Sequence, residues 1–413
     1  MKSLRLRLIA VTMAIAAITT ICVLRNADDA TENEYRALLD EVIANSARPD
    51  SLKTLIARTP KEWQDDMKYL IAYMLPEDRD TMPLGLLEEN VRYAQRAKAT
   101  YEWTQKLPRE VYLTDVLPYY VVDEVRDAWR KELHELFAPV VDTCSTMMEA
   151  VTAVGRGIPQ LTGVNYDTRR EKTNQSPRES MRQGMASCTG LAILLVDAYR
   201  AVGIPARFVG TASWHDNRGN HSWTEVWVDG QWRVTEYYLP SQLDHLWFMP
   251  DAAKADPNDR HYAIYATRFG NAPDWFPMVW CGDDSTQVNN LPQHIGAENV
   301  TQHYIDLAQK LHNKRLEADT HTYLRIAGYR TPSTTLHSAD RVVMGVDIFC
   351  DKEQMGGGLT AGPLRDMNDY FTILLPKNAT YELRYNNQHG QLQTLQVCLG
   401  DEPMTINLFL DRN

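Results

Sequence analysis

A cysteine, a histidine and a carboxylate carry the chemistry legible in this sequence. Cys188 directly precedes the strongly apolar "TGLAILLVDAYRAVGIPARF", His221 opens "HSWTEVWVDGQW", and Glu236 follows in "RVTEYY". A thiolate attacks a carbonyl carbon, an imidazole takes the proton and returns it, and a carboxylate fixes the imidazole tautomer and stabilises its protonated form. Whether these groups cooperate depends on the elements that position them.

Cys188 begins a well-specified helix. Leu191, Leu194, Leu195, Ala198, Tyr199 and Val202 recur at helical spacing. Ser187 is a good N-cap, Gly203 a good C′ residue, and Pro205 closes the exit. At the first helical position, unsatisfied N–H groups and the helix dipole favour a thiolate. A buried structural cysteine would fit the same helix equally well, so position alone does not decide.

The histidine and the carboxylate belong to a hairpin. Asp229-Gly230 between two aromatic and β-branched runs is a strong two-residue turn signal. Counting outward pairs Val228 with Gln231, Trp227 with Trp232 and Glu225 with Val234, and sets Trp223 opposite Glu236. His221, Trp223, Glu225 and Trp227 then share a face with Trp232, Val234 and Glu236. His221 and Glu236 become diagonal neighbours, about 7–8 Å apart at Cα and within reach of a long carboxylate. Glu225 lies roughly 13 Å along the strand and is the wrong partner. Trp223 is a candidate to line the site, as is His215 in the adjoining loop. The backbone N–H of Cys188 is a natural oxyanion donor, with Gln183 a weak candidate for the second. His245 and His261 have no ligand-spaced partners and neither HExxH nor CxxC occurs, so no metal and no cofactor is expected.

"ASCTGLAILLVDAYRAVGIPARFVG" followed by "NHSWTEVWVDGQW" resembles the core of the transglutaminase-like superfamily. The pattern is a helix-starting Cys, a downstream RxxGIPAR, and a strand HxWxEV ending in a Trp with a carboxylate four residues later. Here that Trp is Trp232 and the carboxylate is Glu236. The resemblance takes in "VLPYYVVDEVRDAWR", "DTRREKTNQSPRES" and "WFMPDAAKADPNDRHYAIYAT", spans roughly residues 60–305, and is similar to exported bacterial members with a helical N-terminal region. It implies a papain-like α+β fold and a Cys/His/acid triad of Cys188 as nucleophile, His221 as general base and acid, and Glu236 as orienting carboxylate. The superfamily commonly has Asp at the third position, and Asp244 stands as a remote alternative. The acidic loops of calcium-dependent members are not found.

The flanks read as follows. Residues 1–25 form a basic, then apolar targeting segment, cleaved or retained as a single-span anchor; Cys22 invites a lipid anchor, against which bulky Ile21 argues. Residues 26–155 read as helical: Trp63, Met67, Leu70, Ile71 and Met74 form one stripe ended by Pro76, and Val122, Val125, Trp129, Leu133 and Leu136 another. Residues 156–320 hold the catalytic core with an extension. Residues 321–413 read as a small β-sandwich, with the glycine-rich "MGGGLTAGPLRD" expected as a hairpin loop. The chain has six cysteines. Five lie beyond the leader, and Cys350 and Cys398 in the β-rich tail are candidates to pair.

The formal net charge of −11 excludes the basic footprint that nucleic-acid binding needs. The sequence therefore points to an exported thiol enzyme, periplasmic or at the cell surface, acting on peptide or cell-wall-derived peptide carboxamides. Hydrolysis is favoured over amine transfer, and a non-catalytic binding or scaffold protein on a degenerate core is the competing class. Oligomeric state is not legible.

Overall fold

The computed structural model describes residues 35–217, 219–240, 242–278, 295–332, 340–365 and 369–411. The leader over 1–25 with Cys22, and Cys281, lie outside the described residues. Among those described, no helix is long and apolar enough to cross a membrane.

The chain folds as α+β in three successive regions. Residues 35–162 are mostly helical. The first apolar stripe runs through a 3₁₀ turn into the helix Gln64–Ala72, and Pro76, instead of only ending the run, opens the next helix, Pro76–Thr81. Its ring suits the first turn, where no N–H is needed. The second stripe is shorter than its periodicity suggests. Helix α1 spans Trp129–Val141, and Val125 is exposed. The Glu124 carboxylate accepts the N–H groups of Val121 and Val122, and this local bonding holds the preceding segment out of the helix. Helix α2 (Met147–Thr162) follows, with a Thr146/Glu149 capping box.

Helix α3 (Cys188–Ala201) is buried along its whole length after the first residue. It packs on α1 and on the strands beyond it, so it is apolar nearly all round, Asp197 and Arg200 being buried within it, and its N-terminal turn meets the opening. Its last carbonyls are satisfied from α1: buried Arg130 donates to Arg200 O at 2.9 Å, and His134 Nδ1 lies 2.9 Å from Ala201 O. Gly203 exits at φ +74, beyond which a Cβ would strike Thr104.

A six-stranded antiparallel sheet carries the rest of the core: β1 (Ala206–Thr211), β2 (His221–Val228), β3 (Gln231–Thr235), β4 (Ile264–Thr267), β5 (Asp274–Trp275) and β6 (Gly296–Asn299), in the order β3-β2-β1-β4-β6-β5. The β2–β3 register pairs Val228 with Gln231, Trp227 with Trp232 and Glu225 with Val234, across a turn with Asp229 and Gly230 both at positive φ. Helix α4 (Thr301–Glu317) packs near β4.

The C-terminal region stacks two sheets. One holds β8 (Gly345–Cys350), β9 (Glu353–Leu359), β11 (Ala379–Asn386) and β12 (Leu392–Leu399); the other holds β7 (His321–Tyr329), β10 (Phe371–Pro376) and β13 (Met404–Phe409). Pairing is antiparallel except between β7 and β13. Leu324, Ile348, Leu383 and Leu408 meet in the core between them. The glycines expected in a hairpin loop are instead inside β9. A Cβ on Gly356 would fall 2.3 Å from Ile373 Cδ1 and one on Gly358 2.5 Å from the Phe371 ring, so close sheet approach explains them better than turn geometry. Cys350 and Cys398 are free thiols. They lie on β8 and β12, which flank β11 on opposite sides, about two strand spacings apart and beyond disulfide reach.

Candidate active site

The N-terminus of α3 is fixed on both sides. Ser187 Oγ accepts from Gly190 N at 3.1 Å and donates to Thr173 O at 2.7 Å. Thr189 Oγ1 lies 3.2 Å from Ser222 Oγ, tying the first turn to β2. On β2, His221 pairs with Thr211 of β1 at the strand's start. The turn of α3 and the head of β2 thus bring Cys188 and His221 together.

Burial pushes the Cys188 thiol up, yet its pKa is lowered on balance. A hydrogen bond and charge interaction with His221 outweigh burial, helped by the N–H groups of Ser222 and Thr189. His221 shows the complement. Burial would lower it, but the Cys188 thiol and then Glu236 raise it to about 9. The pair therefore favours thiolate and imidazolium.

His221 Nε2 lies 3.8 Å from Glu236 Oε2, an ion-pair contact longer than a hydrogen bond. Nε2 is buried with no hydrogen-bond partner among the described residues. Nδ1 is then the nitrogen left for the thiol. The ring is walled by aromatic side chains, with centroids 5.1 Å from Trp247, 5.3 Å from Phe248 and 5.7 Å from Trp223. Such an apolar box strengthens charge interactions within it. Trp223 is held by its indole N–H, which donates to Tyr304 Oη at 2.6 Å; Tyr304 donates in turn to Glu225 at 2.7 Å. Glu225 is fully buried and paired with Arg207 at 2.7 Å. It braces the sheet and stays away from His221.

These groups open into a cavity of about 880 Å³ lined by Cys188, His221, Trp223 and Glu236. Of the weaker sequence candidates, Trp223 lines this cavity, and Gln183 and His215 stand elsewhere. Gln183 ends the helix Pro177–Gln183, where left-handed Gly184 turns the chain and the Gln183 side chain accepts from Glu171 N. His215 Nδ1 lies 3.8 Å from Asp251 Oδ1, and with Asp216 these residues place one ligand atom each within 4.8 Å of one another, the grouping nearest to a metal site among the described residues. Asp244 accepts from Val234 N at 2.7 Å and from Arg233 Nε at 2.5 Å, so it clamps β3 and does not address His221. Sequence reasoning missed Tyr166, Tyr238 and Trp247, which also line the cavity, and six residues of the β8–β9 hairpin. Of these only Tyr238 carried a signal, being two residues past Glu236.

Residues 135–237 match the family model of the transglutaminase-like superfamily. No curated protein matches the sequence. Among solved structures, the chain is similar to a candidate cysteine protease from Cytophaga hutchinsonii at 19% identity, covering 35% of this chain and 47% of that one, with a TM-score of 0.27. It is similar to a TGase at 14% identity, covering 29% and 35%, with a TM-score of 0.23. Red sea bream transglutaminase is similar at 10% identity over 66% and 58%, with a TM-score of 0.26. The chain spans less than half the length of the first two. By the family match, the segment that holds Cys188, His221 and Glu236 is a domain of the transglutaminase-like superfamily.

Proposed function

We propose that this protein is a cysteine-dependent hydrolase that cleaves peptide or carboxamide bonds through an acyl thioester on Cys188. The observation that carries the reading is the placement of Cys188, at the N-terminus of α3, with His221 and Glu236 on the wall of one cavity, a pairing that lowers the thiol's pKa and lifts the histidine's. The Cys188 thiolate adds to the carbonyl carbon, and the oxyanion is met by the Cys188 N–H, which as the first N–H of α3 has no intrahelical partner. Collapse expels the amine, which takes the His221 proton. Neutral His221 then deprotonates water, which attacks the thioester and releases the acid, regenerating the pair. Glu236 supports the imidazolium in both halves.

Water is the proposed acceptor because a cavity of about 880 Å³ with mixed polar and aromatic lining has room for it beside a bound acyl group. The basic-then-apolar leader supports an exported location, where peptides and cell-wall peptides are the accessible carboxamides. The test uses a library of peptide amides in ¹⁸O water. Label in the product carboxylate with wild type but not with Cys188→Ala is expected. Equal turnover by the two proteins would overturn thiol catalysis. Capture of the acyl group by an added alkylamine in preference to water would overturn hydrolysis in favour of transfer.

A further inference from the structure

The cavity above Cys188 is not enclosed by the transglutaminase-like domain alone. Its opposite wall is the β8–β9 hairpin of the C-terminal sandwich, which contributes Phe349, Asp351, Lys352 and Glu353 to the lining. The hairpin is seated on the site: a Cβ added to Gly356 would come within 3.7 Å of Trp247 O, and the Trp247 ring packs on His221. At the tip, Asp351 and Lys352 take φ of +47 and +74, a two-residue turn in which asparagine and glycine are the usual occupants. Charged residues stand there instead.

Two independent sets of side chains meet in this space. The first is acidic. Asp351 and Glu353 come from the hairpin beside Lys352, while across the cavity Glu236 is matched by His221. Asp347 also lines the wall, opposite Arg384 in the β8–β11 register, and accepts from Gln354. The second set is aromatic. Tyr166 and Tyr238 are 54% and 47% exposed, unusual for rings of this size, and both line the cavity with Trp247; the Phe349 ring beside them is already covered by the Arg384 guanidinium at 3.9 Å. The two tyrosines are locked together by a hydrogen bond from Tyr166 N to Tyr238 Oη at 2.9 Å. Ring faces receive an aliphatic stem and attract a cation at its end, and carboxylates at the rim complete the site.

We infer that the β8–β9 hairpin makes this cavity select substrates that carry an alkylammonium or guanidinium group close to the reacting carbonyl. The inference rests on Cys188 being the nucleophile. The cation arrives as a basic side chain of the acyl donor.

The test reads charge selection without knowledge of the substrate. Wild type is treated separately with the cationic 2-(trimethylammonio)ethyl and the anionic 2-sulfonatoethyl methanethiosulfonates. In each reaction the Cys188 thiolate forms a mixed disulfide and methanesulfinate leaves, and the rate at Cys188 is followed by peptide mass spectrometry. The cationic-to-anionic rate ratio is expected to fall about tenfold in Asp351→Asn/Glu353→Gln and to rise in Lys352→Gln. It is also expected to collapse toward the free-cysteine value in 1 M salt. A ratio unchanged in both variants overturns the inference. Slow reaction with both reagents and a ratio that still shifts would instead sink the activated-nucleophile reading and leave the acidic wall standing. Peptide amides with and without a flanking Lys are then compared as acyl donors, and equal turnover of the two overturns the inference.

Discussion

His221 Nε2 stands 3.8 Å from Glu236 Oε2, near enough for charge to act and too far for a hydrogen bond. The carboxylate therefore works chiefly by stabilising the imidazolium, with less control over ring orientation than a bonded partner would give. Glu236→Gln is expected to lower kcat on the order of 10²-fold and to bring the His221 pKa down from about 9. Glu236→Asp, one methylene shorter, should fall between. A histidine titration followed by NMR checks the second outcome; an unmoved His221 pKa in Glu236→Gln would remove Glu236 from the proposed machinery.

The pH profile follows from the same pair. Cys188 is lowered below the ordinary thiol value of 9.0, and His221 is raised to about 9. Raising the pH through about 9 strips the imidazolium, the leaving amine loses its proton donor, and turnover falls. Lowering the pH through the Cys188 pKa protonates the nucleophile, and kcat/KM falls. Alkylation by iodoacetamide needs only the thiolate, so its rate should show the acid limb and no decline near pH 9. In His221→Ala the acid limb should move up toward the value of a free thiol.

How much of this was legible from the chain depended on distance along it. The α3 helix, with Ser187 as cap and Gly203 as exit, follows from local spacing. The β2–β3 register follows from period two and the Asp229-Gly230 turn. What local pattern could not supply is the hairpin at 347–354 on the far side of the cavity, since sheet-to-site packing leaves no periodic trace. Nor could it show that Asp244 is occupied by Arg233 and Val234, or that the glycines of β9 answer to Ile373 and Phe371. Gln183 looked close to Cys188 in sequence, but the left-handed Gly184 between them redirects the chain.

The Arg207–Glu225 pair is a structural brace, and its loss should separate stability from chemistry. Both groups are buried, and Glu225 also accepts from Tyr304. Glu225→Leu leaves a buried guanidinium whose remaining ion-pair partner is the partly exposed Glu298 at 3.1 Å, with the Asp115 charge and the Trp232 ring also acting on it. Stability is expected to fall by about 3 kcal/mol, read by urea denaturation, while alkylation of Cys188 in the folded protein keeps its wild-type rate. A loss below about 1 kcal/mol would mean that Glu298, Asp115 and Trp232 together satisfy Arg207 without Glu225.

Gly210 sets how closely β1 approaches the strand that carries the histidine. It pairs with Ser222, and an added Cβ would sit 2.8 Å from His221 O and 3.2 Å from Phe276 Cζ. The first contact is backbone and cannot rotate away, so Gly210→Ala must push β2 outward. His221 moves with its own carbonyl, whereas Cys188 stays with α3, which is anchored by Arg130 and His134 at its other end. The variant should lose about 1–3 kcal/mol of stability and, in the fraction that folds, the activation of Cys188, since the thiol's low pKa depends first on His221. The measurement is the pH dependence of iodoacetamide labelling at a temperature where the variant is folded by circular dichroism. A Cys188 acid limb at the wild-type position in folded Gly210→Ala would show that the β1–β2 spacing does not set the Cys188–His221 contact.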